Sequence, residues 1–170
     1  MACYPARFQL VLAANPCPCA PPNPVDCVCS AQARLRYRGK LSGPLVDRVD
    51  LRVALHPVSA GAFVPEAGEH SAAVRQRVTA ARLAAQDRWR PHGIRTNAEV
   101  DGPLLRRNFR LPKATMEPLR TALERGVITM RGADRCLRVA WTLADLAGRT
   151  SPALSDVTTA FSFRQAGGVS

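Results

Sequence analysis

Four cysteines within thirteen residues form the densest group of chemically useful side chains in this 170-residue chain. They lie in the stretch NPCPCAPPNPVDCVCS as two C-x-C pairs, Cys17 with Cys19 and Cys27 with Cys29. Four thiolates suffice for a tetrahedral zinc ion, and the proline-rich loop between the pairs can bring them together. The single residue inside each pair restricts the directions of its two sulfur atoms, so free thiols and disulfides between the pairs stay as alternatives. We expect a structural zinc ion with no catalytic role.

Asn15 stands directly before the first cysteine pair and directly after the apolar run FQLVLAA. Because this run is apolar instead of alternating, Phe8–Ala14 is predicted to be a strand buried on both faces. A carboxamide at the carboxyl end of a parallel strand can orient a water molecule or a phosphate oxygen, since ligands bind at that edge of an open sheet. The alternative role for Asn15 is a turn cap before Pro16.

One other segment, Val49–Leu55, has the alternation of apolar and polar residues that is typical of a strand with one buried face. Two strands cannot cover Phe8–Ala14 on both sides. We therefore expect the rest of the sheet to come from another chain or from a preceding part of the domain.

From Ser71 onward the apolar residues recur with helical spacing. The predicted fold class is an α/β fragment followed by an all-α domain, with residues 1–60 in the first part and 61–170 in the second. Five helices are predicted: one from Ser71 that ends before Pro91, the short segment GPLLRRNF, one through Met116 and Leu123 with Gly126 at its C′ position, one from about Ala133 to Gly148, and Ser155–Phe163 with Ser155 as its N-cap.

The segment LSGPLVDRVDL and its surroundings resemble the magnesium-chelatase-like AAA+ ATPases of the ComM/YifB family. The family pattern runs from a sensor strand ending in Asn-Pro, through two C-x-C pairs, to RLSGPLLDRIDLHV and a helix beginning ESSAxVRxRV. This chain also has TMRGADRCLRVAWTLADLAG at Thr129–Gly148, where the family has LRVARTIADLAG. The resemblance covers residues from about 5 to 164 and implies a partial AAA+ core followed by the helical lid.

The resemblance also implies roles for single residues. Asn15 is similar to the sensor-1 residue, which positions the attacking water near the γ-phosphate. Arg48 is similar to the arginine finger, which is offered to the nucleotide of the neighbouring subunit and neutralises charge on the transferred phosphoryl group. Arg131 is similar to the sensor-2 arginine of the lid, with Arg135 and Arg138 as alternatives one and two turns further along. Without the resemblance, each arginine would be read as part of a solvated helix face or a structural ion pair.

The chain departs from the family pattern at Ala20, where the family has a glycine after the first C-x-C pair, so a turn that needs a positive φ would be strained. His70 and Trp141 also replace a family serine and arginine. There is no G-x-x-x-x-G-K-[ST] motif and no apolar strand ending in Asp-Glu. In the family both lie upstream of the sensor strand, so we expect a C-terminal part that neither binds ATP tightly nor hydrolyses it alone.

The resemblance implies an intact protein that forms a homo-oligomeric ring, is driven by ATP and Mg²⁺, and takes part in DNA processing. The 24 Lys and Arg residues against 13 acidic ones, a net charge of +11, favour a polyanionic partner. Two alternatives stay open: a stand-alone basic zinc-containing module that binds nucleic acid, and a non-functional truncation remnant. We expect a cytoplasmic protein without membrane contact, because the seven-residue apolar run fits neither a signal peptide nor a membrane span.

Overall fold

The computed structural model describes residues 9–41, 43–55 and 68–165. The chain divides into two compact units, Met1–Val46 and Asp47–Ser170. The described residues contain the following α-helices: α1 (Ala31–Gly39), α2 (Gly43–Arg48), α3 (Ser71–Trp89), α4 (Gly102–Arg107), α5 (Lys113–Glu124), α6 (Met130–Leu146) and α7 (Leu154–Gln165).

The first unit has very little buried surface in its described residues. Its one regular helix of more than two turns, α1, begins after Ser30, whose Oγ accepts a hydrogen bond from the backbone N–H of Ala33 at 3.2 Å. No residue of α1 is buried. Cys17 is the one buried side chain among the residues of this unit whose burial the structure describes.

Neither predicted strand occurs in the described residues, so this part of the predicted fold class is wrong for 9–14 and 49–55, while Phe8 lies outside them. A strand forms only when a neighbour completes its ladder of backbone hydrogen bonds. The apolar residues at 10–12 stay exposed, with Val11 at 81%. In the second segment, Arg52 donates its backbone N–H to the carbonyl of Phe163 at 2.9 Å, so this segment contacts α7 instead of a sheet.

The second unit is built around the predicted helices, all of which are present. α6 packs against α3, α4, α5 and α7. Gly126 follows α5 with a φ of +66°, which confirms its predicted C′ position. The prediction of Ser155 as N-cap is wrong, because α7 already begins at Leu154. The carboxylate of Asp156 instead accepts the backbone N–H of Ala153 at 2.8 Å.

Three aromatic rings form the centre of this helical core. Trp89 lies edge-on to Phe109 and to Trp141, with ring centroids 4.5 and 5.7 Å away. Trp89 has no exposed surface, and Leu119 and Val157 are equally buried beside it. Although aromatic residues make up only 5% of the sequence, α3 and α6 each contribute a tryptophan to this contact. Large rings bury much apolar area each, so few are needed.

A polar network is buried beside the rings. Arg88 pairs with Asp145 through its two terminal nitrogens, Nη1 and Nη2. Its Cζ lies 4.3 Å from the centroid of the Trp141 ring. Asn97 accepts the indole N–H of Trp89 at 2.7 Å and donates to Asp145 at 2.9 Å. The network joins α3 to α6 and supplies hydrogen-bond donors to the carboxylate of Asp145, which is almost completely buried.

Within the described ranges, none of the helices combines the length and the apolar character that a membrane crossing requires.

Candidate functional site

The four clustered cysteines converge in the structure. Their Sγ atoms all lie within 4.8 Å of one another. The Sγ of Cys17 is 3.4 Å from that of Cys19 and 3.4 Å from that of Cys27, and Cys19 and Cys27 are 3.7 Å apart. Sulfur atoms around a tetrahedral zinc ion, with Zn–S bonds of about 2.3 Å, are separated by about 3.8 Å. The arrangement is therefore compatible with a four-sulfur metal site, and all five described cysteines are free thiols.

Ala20 closes the turn that joins the first cysteine pair to the proline-rich segment. Its φ is +45°, the one positive φ of a non-glycine residue within the described ranges, and its N–H donates to the carbonyl of Cys17 at 3.3 Å. This confirms the prediction of a positive-φ turn at a position where the family has glycine. The left-handed conformation is unfavourable for a residue with a Cβ.

The thiols of the cluster influence one another. The hydrogen bond between Cys17 and Cys19 is the main cause that lowers the pKa of Cys17 to about 7, whereas the contact with Cys29 is the main cause that raises the pKa of Cys19. The thiolate is the form of cysteine that binds metal. Cys17, which is 4% exposed, is therefore the first of the two to reach the ligand form as pH rises.

Asn15 belongs to the first unit and lies two residues before Cys17, with its side chain exposed. Arg48 belongs to the second unit and ends α2, also with an exposed side chain. The sensor-1 role of Asn15 and the finger role of Arg48 stay predictions.

Arg135 holds the backbone next to Arg48. Its Nη1 donates to the carbonyl oxygen of Arg48 at 2.5 Å and to Oδ1 of Asp50 at 2.8 Å. The Arg135 side chain is only 17% exposed. This guanidinium is therefore engaged in fixing the end of α2, on the side that follows Arg48 in the chain.

A second arginine, which the sequence did not identify, holds the other side of Arg48. Arg164 of α7 pairs through Nη2 with Oδ1 of Asp47 at 2.6 Å, and its Nη1 reaches the carbonyl of Val49 at 3.4 Å. Its side chain is 8% exposed. The two aspartates of LVDRVD thus bind one arginine each from α6 and α7. A pocket of about 220 Å³ beside them is lined by Asp47, Arg52, Thr129 and Arg164, among others.

The three candidate sensor-2 arginines differ in their surroundings. Arg138 donates from Nε to the carbonyl of Val100 at 2.6 Å, which ties α6 to the preceding loop. Arg135 is held by Asp50, as described above. Arg131 lies exposed in the first turn of α6, and no hydrogen bond or ion pair occupies it within the described part of the chain. Arg131 is therefore the member of the three whose guanidinium is available to a ligand.

Two family comparisons together match nearly the whole chain. The family described as magnesium chelatase, subunit ChlI, matches residues 1–63, and the family described as magnesium chelatase, subunit ChlI C-terminal, matches residues 68–164.

Curated relatives agree with these matches. A protein of Mycobacterium tuberculosis is 68% identical over 167 residues, which cover 98% of this chain and 33% of the relative. YifB of Escherichia coli is 37% identical over 145 residues, covering 84% of this chain and 28% of YifB. Competence protein ComM of Haemophilus influenzae is 33% identical over 147 residues, covering 85% of this chain and 28% of ComM. The chain spans about a third of the length of these relatives.

Proposed function

Because the chain belongs to the magnesium-chelatase-like ATPase family that includes ComM and YifB, we propose that it acts as the C-terminal part of an ATP-driven AAA+ ring motor in DNA processing. In this proposal it supplies the sensor-1 residue Asn15, the arginine finger Arg48 and the sensor-2 residue Arg131. The residues that hold the β- and γ-phosphates and Mg²⁺ are supplied by sequence outside this chain, and the motor works in the cytoplasm.

One observation carries the proposal: Arg48 stands between two aspartates that are each bound by an arginine of the helical lid. A finger stabilises a transition state only if it is positioned in advance, because ordering it during the reaction would raise the barrier. The pairs Asp47–Arg164 and Asp50–Arg135 fix the backbone on both sides of Arg48. They also couple its position to the lid, which in this proposal contacts nucleotide through Arg131.

We assign sensor 2 to Arg131 because the two alternative arginines, Arg135 and Arg138, already make hydrogen bonds within the protein. Arg135 and Arg138 already bind backbone carbonyls of their own unit. Withdrawing either guanidinium would leave those acceptors without their donor. The roles of Arg135 and Arg164 are therefore to position Arg48 instead of contacting ATP. The cysteine cluster is outside this catalytic set, and we propose a structural role for it.

The test uses a chimera in which this chain replaces the matching third of its 68% identical mycobacterial relative. Arg48→Ala is expected to lower ATP turnover by roughly 10³-fold, the range in which arginine fingers contribute. Arg107→Ala removes an exposed arginine of α4 and is the matched control, expected to keep turnover. Since the finger acts on a neighbour, adding subunits that carry Arg48 but lack the Walker lysine should restore part of the activity. Full turnover by the Arg48→Ala chimera alone would refute the finger role.

A second candidate function, a stand-alone nucleic-acid-binding module, is favoured by the net charge of +11 and by the exposed arginines Arg34 and Arg36 on α1. When a protein binds the phosphate backbone electrostatically, the logarithm of the binding constant falls linearly with the logarithm of the salt concentration. The 170-residue chain should then bind duplex DNA without any ATPase partner, with an affinity that falls steeply between low and high salt. Absence of such binding removes this candidate and leaves the motor proposal untouched.

A further inference from the structure

We propose that Cys17, Cys19, Cys27 and Cys29 bind one Zn²⁺ and that this ion takes the place of an apolar core, which the described residues of the first unit do not form. The first unit is then folded when zinc is bound and unfolded without it, while the second unit is folded in both conditions. This inference is independent of the ATPase proposal, since it concerns the folding of the chain by itself.

The sulfur geometry favours a single tetrahedral ion. Three of the Sγ–Sγ separations lie between 3.4 and 3.7 Å, and the fourth sulfur lies within 4.8 Å of the others. Soft thiolate ligands in a closed set of four select zinc or an iron–sulfur unit over magnesium, calcium or manganese. A set with no remaining open position is typical of structural zinc and not of catalytic zinc.

The loop between the two pairs is shaped to bring them together. At its start, the N–H of Ala20 donates to the carbonyl of Cys17 at 3.3 Å, which closes a turn. At its end, the side chain of Asn23 accepts the N–H of Val25 at 3.2 Å, and its carbonyl accepts that of Asp26 at 3.0 Å. The second pair follows this turn directly. Local hydrogen bonds thus point both pairs toward one centre without any apolar packing.

Apolar burial does not explain the fold of the first unit. The apolar residues Val11, Val25 and Val28 are 81, 86 and 89% exposed. Cys17 is buried, and no other residue with described burial in this unit is. The described cysteines are free thiols, so a metal is the cross-link that the residues provide.

The ion would fix two points that matter for the rest of the unit. Cys29 is followed by Ser30, the N-cap of α1, so a metal ligand holds the start of that helix. Cys17 follows Asn15 by two residues, so a second ligand holds the segment with the proposed sensor. A nine-residue helix with no buried side chain is marginal by itself, since short isolated helices rarely persist in water. We therefore expect loss of zinc to release both α1 and the Asn15 segment.

Metal content tests the first half of the proposal. The purified 170-residue chain should contain one zinc per chain by elemental analysis, and Cys27→Ser should contain much less. Cys136→Ala, which removes a thiol from the second unit, is the matched control and should keep one zinc per chain. The near-ultraviolet circular dichroism of Trp89 and Trp141 reports whether the second unit of each variant is folded. Equal zinc in Cys27→Ser and the parent chain, or none in the parent even after incubation with ZnCl₂ under reducing conditions, would overturn the site.

Amide nuclear magnetic resonance tests the second half. After zinc is removed with a chelator, the amide signals of residues 15–39 should collapse to the narrow range of an unfolded chain, and one equivalent of Zn²⁺ should restore them. The signals of α5 and α6 should not change. If the chain binds one zinc but the signals of 15–39 are the same with and without it, the metal site stands and metal-dependent folding is refuted. Neither result depends on ATP hydrolysis.

Discussion

Ala20 is the residue of the cysteine loop at which a single substitution is expected to relieve backbone strain. Its φ of +45° lies in the left-handed region, which costs a non-glycine residue about 1–2 kcal/mol. Ala20→Gly removes this strain, while the added freedom of the unfolded chain costs about 0.4–1 kcal/mol. We predict that Ala20→Gly makes the turn more stable on balance. Zinc affinity should therefore be a few-fold higher, measured by competition with a chromophoric chelator. Ala33→Gly, the same change inside α1, should weaken affinity or leave it unchanged; a larger gain there would contradict the prediction.

Gly102, the first residue of α4, lies against the ion pair of Asp134 and Arg106, which an added Cβ would displace. A Cβ at this position would lie 2.6 Å from Cγ of Asp134, whose carboxylate pairs with Arg106. Gly102→Ala is therefore expected to lower the free energy of unfolding by about 1 kcal/mol, the low end of overpacking, because the atoms that must move belong to side chains. Chemical denaturation followed by tryptophan fluorescence measures this loss. In an Asp134→Ala background the same substitution should cost clearly less, and an undiminished cost would show that the clash is not the cause.

Among the site residues, sequence alone identified those that lie close to one another along the chain. The four cysteines and the strained turn at Ala20 lie within thirteen residues, so their convergence follows from short-range geometry. The partner of Arg135 is Asp50, 85 positions away, and that of Arg164 is Asp47, 117 positions away. Such pairs depend on how helices pack and have no local signature. The repeated Asp in LVDRVD was the one available signal that Arg48 is flanked by bound carboxylates.

Among the helices, a buried polar network links α3 to α6. The Asp145 side chain is 1% exposed and the Arg88 side chain 12% exposed, so both charges are desolvated and depend on each other. Removing one member of such a pair leaves an uncompensated buried charge. Asn97 adds a second donor to Asp145 and binds the indole of Trp89, which links the network to the aromatic core.

We predict that Asp145→Ala destabilises the second unit by about 3–5 kcal/mol, the loss typical of a broken buried pair. Glu117→Ala removes a carboxylate from the Arg120 ion pair on α5, where both side chains are more than half exposed. This control should leave the midpoint of thermal unfolding nearly unchanged, because exposed ion pairs contribute little to stability. Thermal unfolding of both variants under identical conditions compares them. Similar midpoints for the two variants would contradict the importance assigned to the network.

The helices were predictable and the strands were not, for a physical reason. An amphipathic helix satisfies its own backbone hydrogen bonds, so the spacing of Val74, Ala81 and Ala85 is sufficient to indicate α3. A strand depends on a neighbour that the pattern of one segment does not contain. Residues 9–14 and 49–55 have strand-like composition, yet they form no ladder in the described part of the chain. The helix α1 was missed because it buries no residue, so it lacks the apolar stripe that a periodic pattern would reveal.

The whole molecule combines a helical lid with a first unit in which most of the described apolar residues are exposed. Large exposed apolar segments mark surfaces that bind partners. The curated relatives are about three times as long as the matched segment. These two observations support the proposal that the chain works inside an assembly of longer proteins, in which the apolar residues at 10–12 are covered. In that assembly Arg48 would face the neighbouring subunit of a ring.

In the proposed function, this chain contributes the finger, the sensors and the lid to an ATPase without being one by itself. The most direct measurement is ATP turnover by the purified 170-residue chain, first alone and then mixed with the N-terminal two-thirds of the mycobacterial relative. We predict no turnover by the chain alone and turnover on mixing, with the second activity lost in Arg48→Ala and kept in Arg107→Ala. Turnover by the chain alone that disappears in Arg48→Ala would arise from this chain and not from a contaminant, and it would refute the proposal that the chain is inactive without the rest of the motor.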